Sequence, residues 1–174
     1  MANTFTLISS VTVGSGGAAN ISFTSIPQTY TDLLLKVSAR TTYTQVADNI
    51  VLQFNGDTGA NYSFKRLESD GSAVATGGAS SNANYFILGY CAGDTATSNT
   101  FGSTESYIPN YTGSNYKSAG NVGVSENNAT LSYMAMTATI WNQTSAITSI
   151  RAYSFDSGDF KQYSTAYLYG ISNA

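Results

Sequence analysis

Residues 146–171 read AITSIRAYSFDSGDFKQYSTAYLYGI, two runs rich in Ile, Tyr, Phe and Thr on either side of Asp156-Ser157-Gly158-Asp159. Gly takes positive φ readily, and Asp and Ser side chains bond nearby backbone, so the pattern predicts a β-hairpin with 156–159 as its turn. A two-stranded ribbon is marginal in water. Other strands must therefore supply the surface on which Ile147, Ile150, Tyr167 and Leu168 pack. In the closing run, Tyr163, Thr165, Tyr167 and Tyr169 alternate with Ser164, Ala166 and Leu168, giving a strand with two faces suited to contact. Tyr combines a large apolar body with a polar tip, which makes Tyr163, Tyr167 and Tyr169, with Trp141, candidate interface residues. Exposed Tyr or Trp141 could also stack on sugar rings while Asn, Ser and Thr read hydroxyls.

The rest of the chain repeats the same grammar. Phe5 to Val13 alternates, with Phe5, Leu7, Ser9, Val11 and Val13 predicted to share one inward face. Ala19 to Ile26 forms a strand that Pro27 stops. In 33–42, Leu33, Leu35, Val37 and Ala39 face one way and Lys36, Ser38 and Arg40 the other, so one sheet face meets water. Ile50, Leu52 and Phe54 lead to Asn55-Gly56, a tight-turn signal, and 62–67 returns as a strand. The small, polar stretch 72–83, SAVATGGASSNA, predicts a long loop. Asn84 to Ala92 is nearly continuous in apolar residues, 101–108 is the next strand, 116–124 is a Gly-interrupted strand, and 126–129 is a turn. Ser132 to Trp141 alternates Met134, Met136, Ala138 and Ile140 with Tyr133, Ala135, Thr137 and Thr139.

About ten strands with turn signals every 8–12 residues predict an all-β chain. Several connections are too long for a meander, so a two-sheet antiparallel, jelly-roll-like β-sandwich is expected over an immunoglobulin-like one. The 174 residues contain no low-complexity linker and are read as a single domain, 1–174. Charged residues are only 10% of the chain, while hydrophobic residues are 42% and include 13 Tyr and 8 Phe, so a packed core is expected rather than disorder.

Composition also excludes function classes. The net charge of −3 and the scattered Lys and Arg give no basic patch for phosphates, so no nucleic-acid partner is expected. The longest apolar run, Leu33-Leu34-Leu35, is too short to span a bilayer, and Met1-Ala2-Asn3-Thr4 has no signal-peptide character, which predicts no membrane partner and a cytosolic start. Histidine is absent, removing the commonest general base, triad member and zinc ligand. The single cysteine, Cys91, cannot form an intramolecular disulfide and reads as core packing. Asp32, Asp48, Asp57, Asp70, Asp94, Asp156 and Asp159 stand at turns and strand ends, where local hydrogen bonds account for them. No enzyme activity, cofactor or metal is therefore assigned. A paired-carboxylate glycosidase and a Ca²⁺ site at Asp156 and Asp159 are the alternatives those residues leave.

Three segments carry a family resemblance: 5–10 (FTLISS), 23–33 (FTSIPQTYTDL) and 164–171 (STAYLYGI). Together they resemble small structural proteins of tailed bacteriophages, and among these the jelly-roll capsid decoration, or cement, proteins. The resemblance implies a homotrimer that binds the major capsid protein on the outside of the virion shell and stabilises it, after synthesis in the host cytoplasm. A tail- or fibre-associated receptor-binding module that grips carbohydrate is the alternative.

Overall fold

A computed structural model describes residues 4–71, 74–126 and 132–172. Among these residues there are twelve β-strands and no helix: β1 (Phe5–Thr12), β2 (Ile21–Phe23), β3 (Asp32–Ala39), β4 (Ala47–Phe54), β5 (Tyr62–Ser69), β6 (Val74–Ala83), β7 (Phe86–Ala92), β8 (Gly102–Ile108), β9 (Lys117–Glu126), β10 (Ser132–Trp141), β11 (Ile150–Ser154) and β12 (Thr165–Ile171). They form two antiparallel sheets. The larger runs β1-β12-β3-β8-β9-β10-β5-β6 and the smaller β2-β11-β4-β7. The expected all-β, two-sheet sandwich is thus present, with twelve strands in place of ten.

The core lies where the sheets face each other. Leu33, Leu35 and Val37 of β3 and Ala166 and Leu168 of β12 meet Ile50, Leu52 and Phe54 of β4 and Phe86 and Leu88 of β7, all essentially without solvent access. Removing a Leu or Ile side chain of this kind from water contributes about 1.5–3 kcal/mol.

Residues 146–171 do not form a hairpin. β11 pairs with β2 and β4 in the small sheet, whereas β12 pairs with β1 and β3 in the large one. The intervening segment is a crossover pinned by Phe160, whose ring is buried and whose backbone bridges Ala18 and Thr41. Phe160 N–H donates to Ala18 O at 2.8 Å and Ala18 N–H returns to Phe160 O at 3.0 Å. The turn chemistry of 156–159 is real, but the buried aromatic after it sends the chain across the sandwich.

Three further expectations are revised. Most of the stretch read as a loop is strand β6, which pairs with β5 through two register shifts; residues 72 and 73 lie outside the described residues, as does most of the 126–129 turn. In β1 the pairing with β12 shifts between Leu7 and Ser9, so Phe5 and Leu7 turn outward while Val11 and Val13 stay inward. A bulge of one residue reverses the faces of a strand, which alternation cannot foresee. Arg40, expected in water, is buried. Its guanidinium donates to the carbonyls of Thr97, Asp94 and Ala96 at 2.6, 2.8 and 2.9 Å.

Glycines set the distance between the sheets at β7. A Cβ added to Gly123 would lie 2.7 Å from Gly89 Cα and 2.8 Å from Thr104 Cγ2, so β7 rests almost directly on the β8–β9 backbone. At the opposite end, a Cβ on Gly170 would fall 2.3 Å from Tyr30 Cγ. That contact joins two of the segments that carry the family resemblance.

Backbone cannot retreat as a side-chain tip can. Gly123→Ala is expected to lose about 1–3 kcal/mol in urea unfolding. Gly120→Ala, on the open outer face of the same strand, is expected to stay within about 0.5 kcal/mol.

Candidate interaction surface

Strands β8, β9 and β10 are built inside out. Their inward positions hold Thr104 and Ser106, then Ala119, Asn121, Gly123 and Ser125, then Ala135, Thr137, Thr139 and Trp141. Their outward positions hold Tyr107, Val122, Val124, Met134, Met136 and Ile140, all exposed. The close approach of β7 explains the small side chains at the middle of these strands, while the larger inward residues Ile108, Lys117 and Trp141 stand at strand ends. Registers then align Leu67, Met136, Val122, Glu105, Lys36 and Tyr167 in one transverse row over six strands. The adjacent row is Lys65, Ala138, Gly120, Tyr107, Leu34, Tyr169 and Leu7.

This outer face gathers nearly all the exposed large hydrophobic side chains among the described residues; only Tyr116, Phe155 and Tyr163 lie elsewhere. Leu67 and Met136 are each about half exposed, at 51% and 50%. Charge on the rows is nearly self-cancelled: Lys36 Nζ pairs with Glu105 Oε2 at 3.1 Å, leaving Lys65. Small residues at Ala138 and Gly120 sink a groove of about 880 Å³, walled by Tyr107, Lys65 and Ile140. Tyr107 is steadied by donation to Asp32 Oδ2 at 2.6 Å.

A strand spacing of about 4.8 Å and a rise of about 3.3 Å per residue give eight strands of seven residues a footprint of roughly 800 Å². One partner in a stable protein–protein interface contributes about that area. Its apolar side chains cluster on β9 and β10, where Val122, Val124, Met134, Met136 and Ile140 stand exposed together, with the Lys36–Glu105 pair and Lys65 beside them.

Of the four residues expected to make contact, Tyr167 and Tyr169 lie on this face and the other two do not. Trp141 is 2% exposed, packed against Phe54 and Tyr62 with ring centroids 5.6 and 6.3 Å away. Its indole N–H donates to Asp57 Oδ2 at 2.7 Å, so it is an internal anchor and has no surface to offer a partner. Burial alone would raise the Asp57 pKa, but donors from Trp141, Gly59 and Asn61 together hold the carboxyl below its ordinary 3.8.

Tyr163 precedes β12 and belongs to a separate polar cleft. Ser164 N–H donates to Lys161 O at 3.1 Å, and Tyr163 has φ of 71°, the signature of a type II turn with Tyr at the position that favours Gly. An L side chain held there costs about 1–2 kcal/mol. Its ring is nonetheless the most exposed large aromatic among the described residues, at 65%. The cleft beside it measures about 510 Å³ and is bounded by segments 15–17, 94–101 and 159–163.

Among the described residues no three Cys, Asp or Glu come together to hold a metal ion. Cys91 is fully buried, and burial pushes its thiol pKa well above the usual range. Comparison with known proteins returned no matching family model, no matching curated protein and no matching solved structure.

The Met and Val row was legible in one respect. Trp141 shares its phase with Thr137 and Thr139, which would have placed the Met side outward had Trp been taken as core.

Trp141→Phe is expected to cost about 1–2 kcal/mol at neutral pH, since it removes a hydrogen bond to a charged acceptor. A carboxyl whose folded pKa is depressed contributes stability above its unfolded value and loses it as pH falls through the folded one. The deficit of Trp141→Phe measured by urea unfolding should therefore be full above pH 3.8 and shrink below it.

Proposed function

We propose that the chain is a structural protein of a tailed-phage virion, a capsid decoration protein that docks on the outer surface of the major capsid protein shell and reinforces it. The observation that carries this reading is the apolar outer face of the eight-stranded sheet. It has the area of a protein–protein interface and little net charge for a nucleic acid. The major capsid protein is the chosen partner because the segments 5–10, 23–33 and 164–171 resemble decoration proteins.

Strand order supports the jelly-roll element of that resemblance. With β5–β6 and β9–β10 set aside, the remaining eight strands run β1-β12-β3-β8 opposite β2-β11-β4-β7, so the chain crosses between sheets as in two interleaved Greek keys. The two extra pairs enter between β4 and β7 and between β8 and β11, and both extend the large sheet beyond β8. Most of the apolar face lies on this extension. A homotrimer gives each capsid site three copies of one docking face, and repetition over a shell adds avidity to modest contacts.

Expanded capsids mixed with the full chain are expected to carry it down on sedimentation, and Met136→Glu combined with Val122→Glu to reduce that binding at least tenfold with the fold unchanged by circular dichroism. Wild-type protein left in the supernatant, or a virion reconstruction placing it only at the tail, would sink the reading. Light scattering of the free protein should give the mass of three chains; a monomer at micromolar concentration counts against the trimer.

A further inference from the structure

The cleft beside Tyr163 lies apart from the outer sheet face. Three chain segments form it, and two of them are fixed from behind. Buried Arg40 holds the 94–100 loop by donating to the Asp94, Ala96 and Thr97 carbonyls, with a longer contact to Thr100 O at 3.3 Å. The 159–163 segment is tied on two sides: Asp159 N–H donates to Thr42 Oγ1 at 2.9 Å and Tyr163 N–H donates to Val13 O at 3.0 Å. Lys161 N–H donates to Arg40 O at 2.8 Å, and its ammonium pairs with the Asp94 carboxylate, linking the two walls. The Lys161 bond holds Asp94 below the usual carboxylate range, so it is a ready hydrogen-bond acceptor at neutral pH. Preorganisation of this kind lowers the entropy lost on binding.

Into this frame the chain sets Tyr163 with an unfavourable backbone, where Gly would fit without strain. Its side chain adds little to the core, since the residue is 65% exposed. A strained residue that persists at the rim of a cleft is the pattern of a ligand contact. Around it stand Asn99, Gln162, Asp94 and Asp159, which offer amide donors and carboxylate acceptors. The formal charges of the lining cancel, two acidic residues against Arg40 and Lys161.

An exposed aromatic plane beside a charge-balanced array of amides and carboxylates matches a molecule with apolar C–H faces and a rim of hydroxyls. We infer that this cleft binds a neutral pyranose oligosaccharide, with Tyr163 as the stacking platform and Asp94, Asn99, Asp159 and Gln162 reading hydroxyl groups. The volume of about 510 Å³ falls in the range of small-ligand sites. This inference is independent of the capsid reading, since the residues involved are not on the outer sheet face.

The test is an array of immobilised neutral and acidic oligosaccharides probed with the full chain, and then calorimetric titration with the neutral oligosaccharide it selects. Wild type is expected to bind a neutral class, Tyr163→Phe to retain binding, and Tyr163→Gly to weaken it at least fivefold. Tyr163→Gly should also melt at the same or a higher temperature, because it relieves the turn. That combination separates a ligand contact from a structural role, which would leave binding untouched. Tyr167→Ala on the sheet face should bind the oligosaccharide as wild type does. No neutral glycan bound, acidic glycans alone bound, or less than fivefold loss in Tyr163→Gly would each overturn the inference.

Discussion

The backbone-to-backbone approach of β7 to β8 and β9 governs how the rest of this molecule is built. Sheets in a sandwich pack about 10 Å apart, a gap that side chains fill. Here Gly89 and Gly123 leave no room for a Cβ between them, and Gly102 stands so near Cys91 that an added Cβ would lie 2.5 Å from its Cα. Inner positions nearby must be small, and Ala119, Ala135, Thr137 and Ser106 meet that demand. In β9 and β10 the bulky apolar side chains other than Tyr133 and Trp141 take the opposite positions. They stand on the outer face, where no part of the described chain covers them.

Besides the β7 contact, the extension β9-β10-β5-β6 is tied to the frame near its two ends. At one end Trp141, Tyr62, Phe54 and Phe86 form an aromatic cluster, with the Tyr62 hydroxyl oxygen accepting from Phe54 N–H at 2.9 Å. At the other, Arg66 Nη1 donates to Asn49 Oδ1 at 2.8 Å and Tyr90 O–H donates to Glu68 Oε2 at 2.5 Å, with the Tyr90 pKa pushed up to about 12 by burial and the Glu68 bond. Between them runs an inner row of Ser106, Asn121 and Thr137, in register across three strands. Asn121 Nδ2 donates to Thr137 O and Thr139 Oγ1, yet Ser106 Oγ and Thr137 Oγ1 find no protein partner. Buried polar atoms left this way are a cost to the isolated fold.

The fold class was legible because alternation and turn residues act locally. Leu33, Leu35 and Val37 point inward as their period requires, and Asn55-Gly56 turns with both residues at positive φ. The features that were not legible depend on partners distant in sequence. The Asp156–Asp159 turn invites a hairpin, but the destination of each arm is set by Phe160 against Ala18 and Thr41, more than a hundred residues away. The Ile8 bulge, the burial of Arg40 and the inverted faces of β10 share that origin. Hydrophobic alternation names two faces of a strand and is silent on which one the rest of the chain will cover. Trp141 was misplaced for this reason, since its alternation with Ile140 is symmetric until β7 is laid on one side.

Three features cost the isolated chain stability: an uncovered apolar sheet face, a cationic Arg40 buried on carbonyl dipoles, and Tyr163 in a left-handed backbone. The first and third could be relieved by ordinary substitutions, a polar residue for Met136 and glycine for Tyr163, whereas replacing Arg40 would take its guanidinium from the Asp94, Ala96 and Thr97 carbonyls. They are not scattered. The first lies on strands inserted outside the eight-stranded frame, and the other two meet at one cleft, where Arg40 shapes the wall that faces the Tyr163 ring. The two surfaces differ in kind: the sheet face is broad and exposes Val122, Met134, Met136 and Ile140, whereas the cleft is small and lined mainly by polar side chains.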